Sequence, residues 1–135
     1  MKLQILICIL LGSFLSSCAK STLVLSDEIH EVSLISILSN PEKYDGKYVM
    51  VAGFVRIAFE GNAIYFHRED CVTELTKNAL WLNGDFLNTV NAKQLDMKYT
   101  MIAGRFNAKN KGHMDLFSGA LEDVSIPNGG RRKMP

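Results

Sequence analysis

The feature that most constrains the fold is the stretch 47–59, KYVMVAGFVRIAF, an apolar run broken by one interior glycine, Gly53. Its alternate positions form two sets, Val49, Val51, Gly53, Val55, Ile57 and Phe59 on one side and Tyr48, Met50, Ala52, Phe54, Arg56 and Ala58 on the other. Both sets are mainly apolar, so the run predicts a strand covered on both faces, unlike one in an open sheet with a wetted side. At about 3.3 Å per residue a straight strand of this length would reach roughly 40 Å, whereas a domain of about a hundred residues has a radius of gyration of about 13 Å. The strand therefore has to bend. Gly53 is the residue that permits it, because interior strand glycines mark bulges and corners.

A second strand repeats the first. KYTMIAG at 98–104 echoes KYVMVAG at 47–53, and Asp45 and Asp96 each stand two residues ahead. The likeness stops at the glycine, which predicts two strands with the same geometric task and no tandem repeat. Around them the sequence predicts a helix over 33–39 capped by Ser33 and ended by Asn40-Pro41, a further turn over 41–44 and a reversal at Asp45-Gly46. A hairpin at Glu60-Gly61-Asn62 returns the chain through a strand at 63–67. There follow a polar loop over 68–78 with room for a helical turn, a strand over 79–82 containing Trp81, and a short helix or irregular crossing over 87–96. A fourth strand at 98–106, a flexible basic loop at 107–113 and a last strand at 118–126 complete the chain. Five strands, glycine bends in the first and fourth, and a short element between the third and fourth predict a mainly β protein. The expected architecture is a small five-stranded, partly open Greek-key barrel of the OB type with a short N-terminal helix.

The N-terminus points to export. Lys2 precedes an apolar or small run, 3–14, and then Leu15-Ser16-Ser17-Cys18, the order of a secretory signal. The apolar run is too short to span a bilayer, which takes about 20 helical residues. Leu15-Ser16-Ser17-Cys18 also resembles the lipobox of bacterial lipoproteins. That resemblance implies cleavage after residue 17, acylation of Cys18 and, with Ala19 following, export to the outer membrane where the cell has one. Two or three acyl chains meet the physical requirement that one chain alone binds a membrane only marginally. The expected organisation is a signal peptide at 1–17, lipidated Cys18 and tether at 18–32, the barrel at 33–127 and a disordered basic tail at 128–135. PEKYDGKYVMVAGFV, FEGNAIYF, NALWL and GHMDLFSGALEDV further resemble a group of exported bacterial proteins with OB-like domains, which implies a fold and no activity.

Cysteine and charge narrow the partners. Of three cysteines, Cys8 leaves with the leader and Cys18 carries lipid, so Cys71 has no partner for an internal disulfide; it is expected as a small, partly buried residue at a strand end, with an intermolecular disulfide or a nucleophile as the sharper readings. Fifteen Lys and Arg stand against fourteen Asp and Glu, and losing Lys2 leaves the mature chain neutral. Nucleic-acid binders usually carry a basic surplus, so that class is disfavoured.

OB barrels bind on the face of their second and third strands and through the loops joining strands one to two and four to five. That surface would draw on Arg56, Tyr65, His67, Trp81, Lys109, Lys111 and His113. Each also has a structural explanation: Arg56 as the partner of an acid such as Glu60, Trp81 as a core residue, and Glu60-Gly61-Asn62 as a turn that needs glycine. His67, His113, Asp70 and Cys71 lack a metal-ligand spacing, and no nucleophile elbow or phosphate loop appears, so neither metal nor cofactor is expected. The expected function is that of a membrane-anchored envelope module binding a protein or small envelope ligand. One alternative is a hydrolase of nucleic acid or cell-wall material using Glu60, His67 or His113, and a second is an oligonucleotide-binding domain.

Overall fold

The computed structural model describes residues 28–88 and 90–127. The stretches expected as a signal peptide and a basic tail, and Cys18, lie outside the described residues. The elements are β1 His30–Glu31, α1 Leu34–Ser39, α2 Pro41–Tyr44, β2 Tyr48–Arg56, β3 Ala63–Tyr65, α3 Arg68–Val72, β4 Ala79–Leu82, α4 Val90–Lys93, β5 Lys98–Asn107 and β6 Ala120–Ser125. Short 3-10 turns fall at Thr76–Asn78, Asp85–Asn88 and His113–Asp115. Among the described residues no helix is long and apolar enough to cross a membrane.

The strands run in the order β1-β2-β3-β4-β6-β5, and β2 also pairs with β5, so β2 to β6 close into a five-stranded barrel. The expected mainly β, OB-like barrel is the one observed, and it is closed rather than partly open. β4 and β6 pair in parallel and the other barrel pairs are antiparallel. Val49, Val51 and Val55 of β2, Ile64 of β3, Leu80 and Leu82 of β4, Ile102 and Phe106 of β5 and Leu121 of β6 fill the interior. Leu34 and Ile37 close one side of it from α1, three residues apart and therefore on one helical face. The Ser33 Oγ accepts the Ser36 N–H at 3.2 Å and caps that helix. Burial of each such aliphatic side chain stabilises by about 1.5–3 kcal/mol, which makes this interior the main source of stability.

β2 bends as its length requires. Its first half lies between β1 and β5 and its second half between β3 and β5. Gly53 stands where β3 takes over, and a Cβ there would lie 2.6 Å from the Tyr65 carbonyl oxygen and 2.7 Å from Ile64 Cγ1. The strand stops at Arg56, short of the expected Phe59. Side chains replace the ladder beyond it: Asp96 Oδ1 accepts the Ile57 N–H at 2.8 Å and Asn62 Oδ1 accepts the Ala58 N–H at 3.1 Å. β3 likewise ends at Tyr65 and β6 covers only Ala120–Ser125, because α3 and the loop before β6 take the flanking residues. The end of the stretch expected as a tether supplies β1, a two-residue strand laid parallel on β2.

The echoed segments are partners. β2 and β5 pair antiparallel from Tyr48↔Arg105 to Val55↔Lys98, with Val49 opposite Gly104 and Gly53 opposite Thr100. Each echoed position thus maps onto its counterpart by a local two-fold. The turns that lead into the two strands match in detail. Asp45 Oδ1 accepts the Ala108 N–H at 2.8 Å, as Asp96 Oδ1 accepts that of Ile57. Gly46 N–H donates to Phe106 O at 2.8 Å, and Met97 N–H donates to Val55 O at 2.9 Å. Gly46 and Met97 both have positive φ, 77° and 57°. Gly104 sits at a bulge in the β5–β6 pairing.

Candidate functional site

Because β2, β3 and β4 alternate, their outward positions form a second surface. Arg56 pairs with Ala63 and Ala63 with Trp81 in one row; Phe54 pairs with Tyr65 and Tyr65 with Ala79 in the next. Cys71 of α3 and Phe117 of the β5–β6 loop cover part of it, giving a small cluster with Phe54, Ala63, Tyr65 and Ala79. Arg56, Tyr65 and Trp81 therefore share one face. Trp81 lies outside the barrel core, half-buried, with its ring 5.3 Å from that of Phe117. The backbone at Gly112 packs on that ring, where a Cβ would lie 2.6 Å from Trp81 Cγ. The indole is thus a packing element of the small cluster.

The β2–β3 turn and the β5–β6 loop meet at the edge of this face, where Glu60 Oε2 lies 3.6 Å from His113 Nε2. The turn does not depend on glycine as its sequence suggested. Glu60, not Gly61, holds the left-handed conformation, with φ 54°, and a Cβ at Gly61 would make only ordinary contacts. Beside the turn opens a cleft of about 510 Å³ lined by Arg56, Glu60, Tyr65, Cys71, Glu74 and Phe117 among others. A second cleft of about 580 Å³ lies along the same turn, with Glu60, Lys93 and Asp96 in its walls.

Arg56 pairs with Asp96, not with Glu60. Its Nη1 donates to both carboxylate oxygens, at 3.2 and 3.1 Å. The correction follows from the strand ending at Arg56: the chain before β5 passes alongside, and Asp96 serves both the Ile57 N–H and the guanidinium. Tyr65 is only 5% exposed. No side chain or main-chain group of the described residues bonds its hydroxyl, and no buried side-chain polar atom among them lacks a partner, so the hydroxyl opens onto the cleft. Burial pushes the Tyr65 hydroxyl above its ordinary pKa, with Cys71 and Glu74 adding to the rise and Arg56 opposing it. Burial also pushes the Cys71 thiol up, again against the pull of Arg56. Cys71 is buried rather than partly buried, and lies on α3 and not at a strand end.

The remaining candidates stand apart. His67 precedes α3, where its N–H donates to Asp70 Oδ2 at 3.2 Å, and Asp70 Oδ1 accepts from Asn78 Nδ2 at 3.1 Å. His67 lines neither cleft. Lys111 Nζ donates to the Ser118 carbonyl at 2.7 Å and ties the β5–β6 loop to itself. Asn107 Oδ1 accepts the N–H groups of Lys109 and Asn110, and Glu122 Oε1 accepts from both asparagine side chains, so the stretch expected to be flexible is laced by side-chain bonds. Among the described residues no three His, Cys, Asp or Glu side chains group closely enough to hold a metal ion.

Several cleft residues carried no signal in the sequence. Phe59 reads as the end of a strand but is 93% exposed at the cleft. Glu74 and Leu116 sit in loops with no local pattern. Asp96 had a signal, its correspondence to Asp45. Comparison with protein-family models, curated proteins and solved structures gives no significant match to this chain.

Proposed function

We propose that this chain is a lipid-anchored envelope protein whose OB-like barrel acts as a binding module, with the cleft between the β2–β3 turn and the β5–β6 loop as its site. The observation that carries the binding half is the Tyr65 hydroxyl, on a buried ring and open to that cleft without a partner among the described residues. It lies on the face and between the loops with which OB barrels take ligands. The resemblance of Leu15-Ser16-Ser17-Cys18 to a lipobox supports the anchor, and a neutral mature chain supports a partner other than nucleic acid.

Binding is favoured over hydrolysis by the arrangement of the alternative's three residues. Glu60 and His113 meet only as a half-exposed bridge between loops, and His67 is engaged elsewhere. General acid–base work asks for such groups around one substrate position. Two experiments test the proposal. Cys18→Ala, or globomycin treatment, should block processing and release the protein from membranes; unchanged processing and fractionation would remove the anchor. A photocrosslinking residue at position 59 should capture a partner in native envelopes, and turnover of a substrate by the purified protein would replace binding with catalysis.

A further inference from the structure

The cleft's chemistry narrows what it takes. Its walls carry two carboxylates, Glu60 and Glu74, both on residues with φ 54°. Glu74 has no ion pair or side-chain hydrogen bond among the described residues, and Glu60 has only the 3.6 Å approach of His113. Among the described residues the single lining cation, Arg56, is neutralised by Asp96, which leaves Nε and Nη2 as donors without partners there. The electrostatic balance of the lining is therefore negative. Apolar surface adjoins it: Phe59 is almost wholly exposed and Leu116 is 45% exposed. Three kinds of recognition thus converge on one space: carboxylates for a cation, an arginine edge with a tyrosine hydroxyl for carbonyl oxygens, and aromatic and aliphatic surface for an apolar side chain.

We infer that the cleft binds a short extended peptide segment of a partner protein in which a Lys or Arg stands next to a large apolar residue. Glu60 and Glu74 take the basic side chain, Arg56 and the Tyr65 hydroxyl take main-chain carbonyls, and Phe59, Leu116 and Phe117 take the apolar one. A volume of about 510 Å³ lies within the range of small ligand sites, so two or three residues of the segment enter it. Anionic ligands are disfavoured, because no lining cation is free of a carboxylate to offset Glu60 and Glu74. This inference rests on the binding-module proposal and specifies its ligand.

The test uses the full-length, detergent-solubilised protein and the fluorescence of Trp81, the only tryptophan, whose ring neighbours Phe117 of the cleft. The probes are the capped tetrapeptides acetyl-Lys-Phe-Lys-Leu-amide and acetyl-Glu-Phe-Glu-Leu-amide at low salt. The basic peptide should bind at least about tenfold tighter than the acidic one, as differential burial of like against opposite charge implies. Glu74→Gln should weaken it about fivefold while leaving thermal unfolding unchanged, and Phe59→Ala should do the same. The double variant Glu60→Lys, Glu74→Lys should reverse the preference. Equal binding of both peptides, preference for the acidic one, or indifference to Glu74→Gln would overturn the inference. If neither peptide binds while the crosslinker at position 59 still captures an envelope partner, the peptide class falls and the binding module stands. If neither peptide binds and nothing is captured, both fall.

Discussion

The turns that lead into β2 and β5 use the same device for different purposes. Ahead of β2, Asp45 holds the Ala108 N–H and Gly46 takes the left-handed turn. Ahead of β5, Asp96 holds the Ile57 N–H, Met97 takes the turn, and the same carboxylate also grips Arg56 at the cleft wall. The first turn is architecture alone. The second, at the same geometry, also holds Arg56 in the wall of the cleft that Tyr65 lines. A local two-fold in a ladder thus need not mean equivalent surroundings.

The largest test of that symmetry lies at its glycines. A Cβ at Gly53 would lie 2.6 Å from the Tyr65 carbonyl oxygen, and one at Gly104 would lie 2.8 Å from that of Glu122. Because the obstacle is backbone in both, Gly53→Ala should cost about 3 kcal/mol and Gly104→Ala about 2 kcal/mol in urea unfolding. Loss of stability in only one would break the correspondence.

The aspartates come next and should differ. Asp45→Ala removes one charge-assisted bond to an N–H and should cost about 1 kcal/mol. Asp96→Ala removes the equivalent bond and the partly exposed Arg56 pair, for about 2 kcal/mol, of which the surface-like pair supplies the smaller part. It should also weaken binding of the basic peptide by freeing the Arg56 charge at the cleft wall, which Asp45→Ala should not. Equal effects on both readouts would mean that Asp96 is structural only.

The left-handed residues give a smaller, opposed pair. Met97→Gly should stabilise by about 0.5 kcal/mol, since relief of a left-handed residue, about 1–2 kcal/mol, is partly offset by glycine's extra chain entropy. Gly46→Met should cost about 1 kcal/mol. Thermal unfolding of the two variants checks both signs.

Titration separates the two turns last. Tyr65 and Cys71, near the Arg56 side, both have raised pKa values in the folded chain, so the folded state holds their protons more tightly than the unfolded one. Stability from this source is complete below the ordinary thiol value of 9.0 and is lost as pH rises through the raised values. The urea midpoint should fall above that pH, less so in Cys71→Ser, and alkylation of Cys71 in the folded protein should stay slow until then. Fast alkylation near pH 8 would contradict the buried thiol.

Much of the fold was legible because strands with two apolar faces, interior glycines and turn residues are local signals with few solutions. The bend at Gly53 follows from strand length against domain size, whereas full closure, through the pairing of β2 with β5, does not. Strand ends were legible less well, because Asp96 and Asn62 reach across the fold to take N–H groups that a local pattern assigns to the ladder. The candidate site was legible in part. Arg56, Tyr65 and Trp81 share a face because alternation puts them there, while Glu74 and Leu116 enter the cleft from loops.

The sequence by itself determined which residues alternate, where the chain must bend, and that 47–53 and 98–104 do one job. Only the tertiary structure decided that those two segments pair with each other, that Arg56 answers to Asp96 and not Glu60, and that Phe59 faces a cleft. The reason is range. Propensity and periodicity act over a few neighbouring residues, whereas which carboxylate meets a guanidinium forty positions away is settled by how the barrel closes.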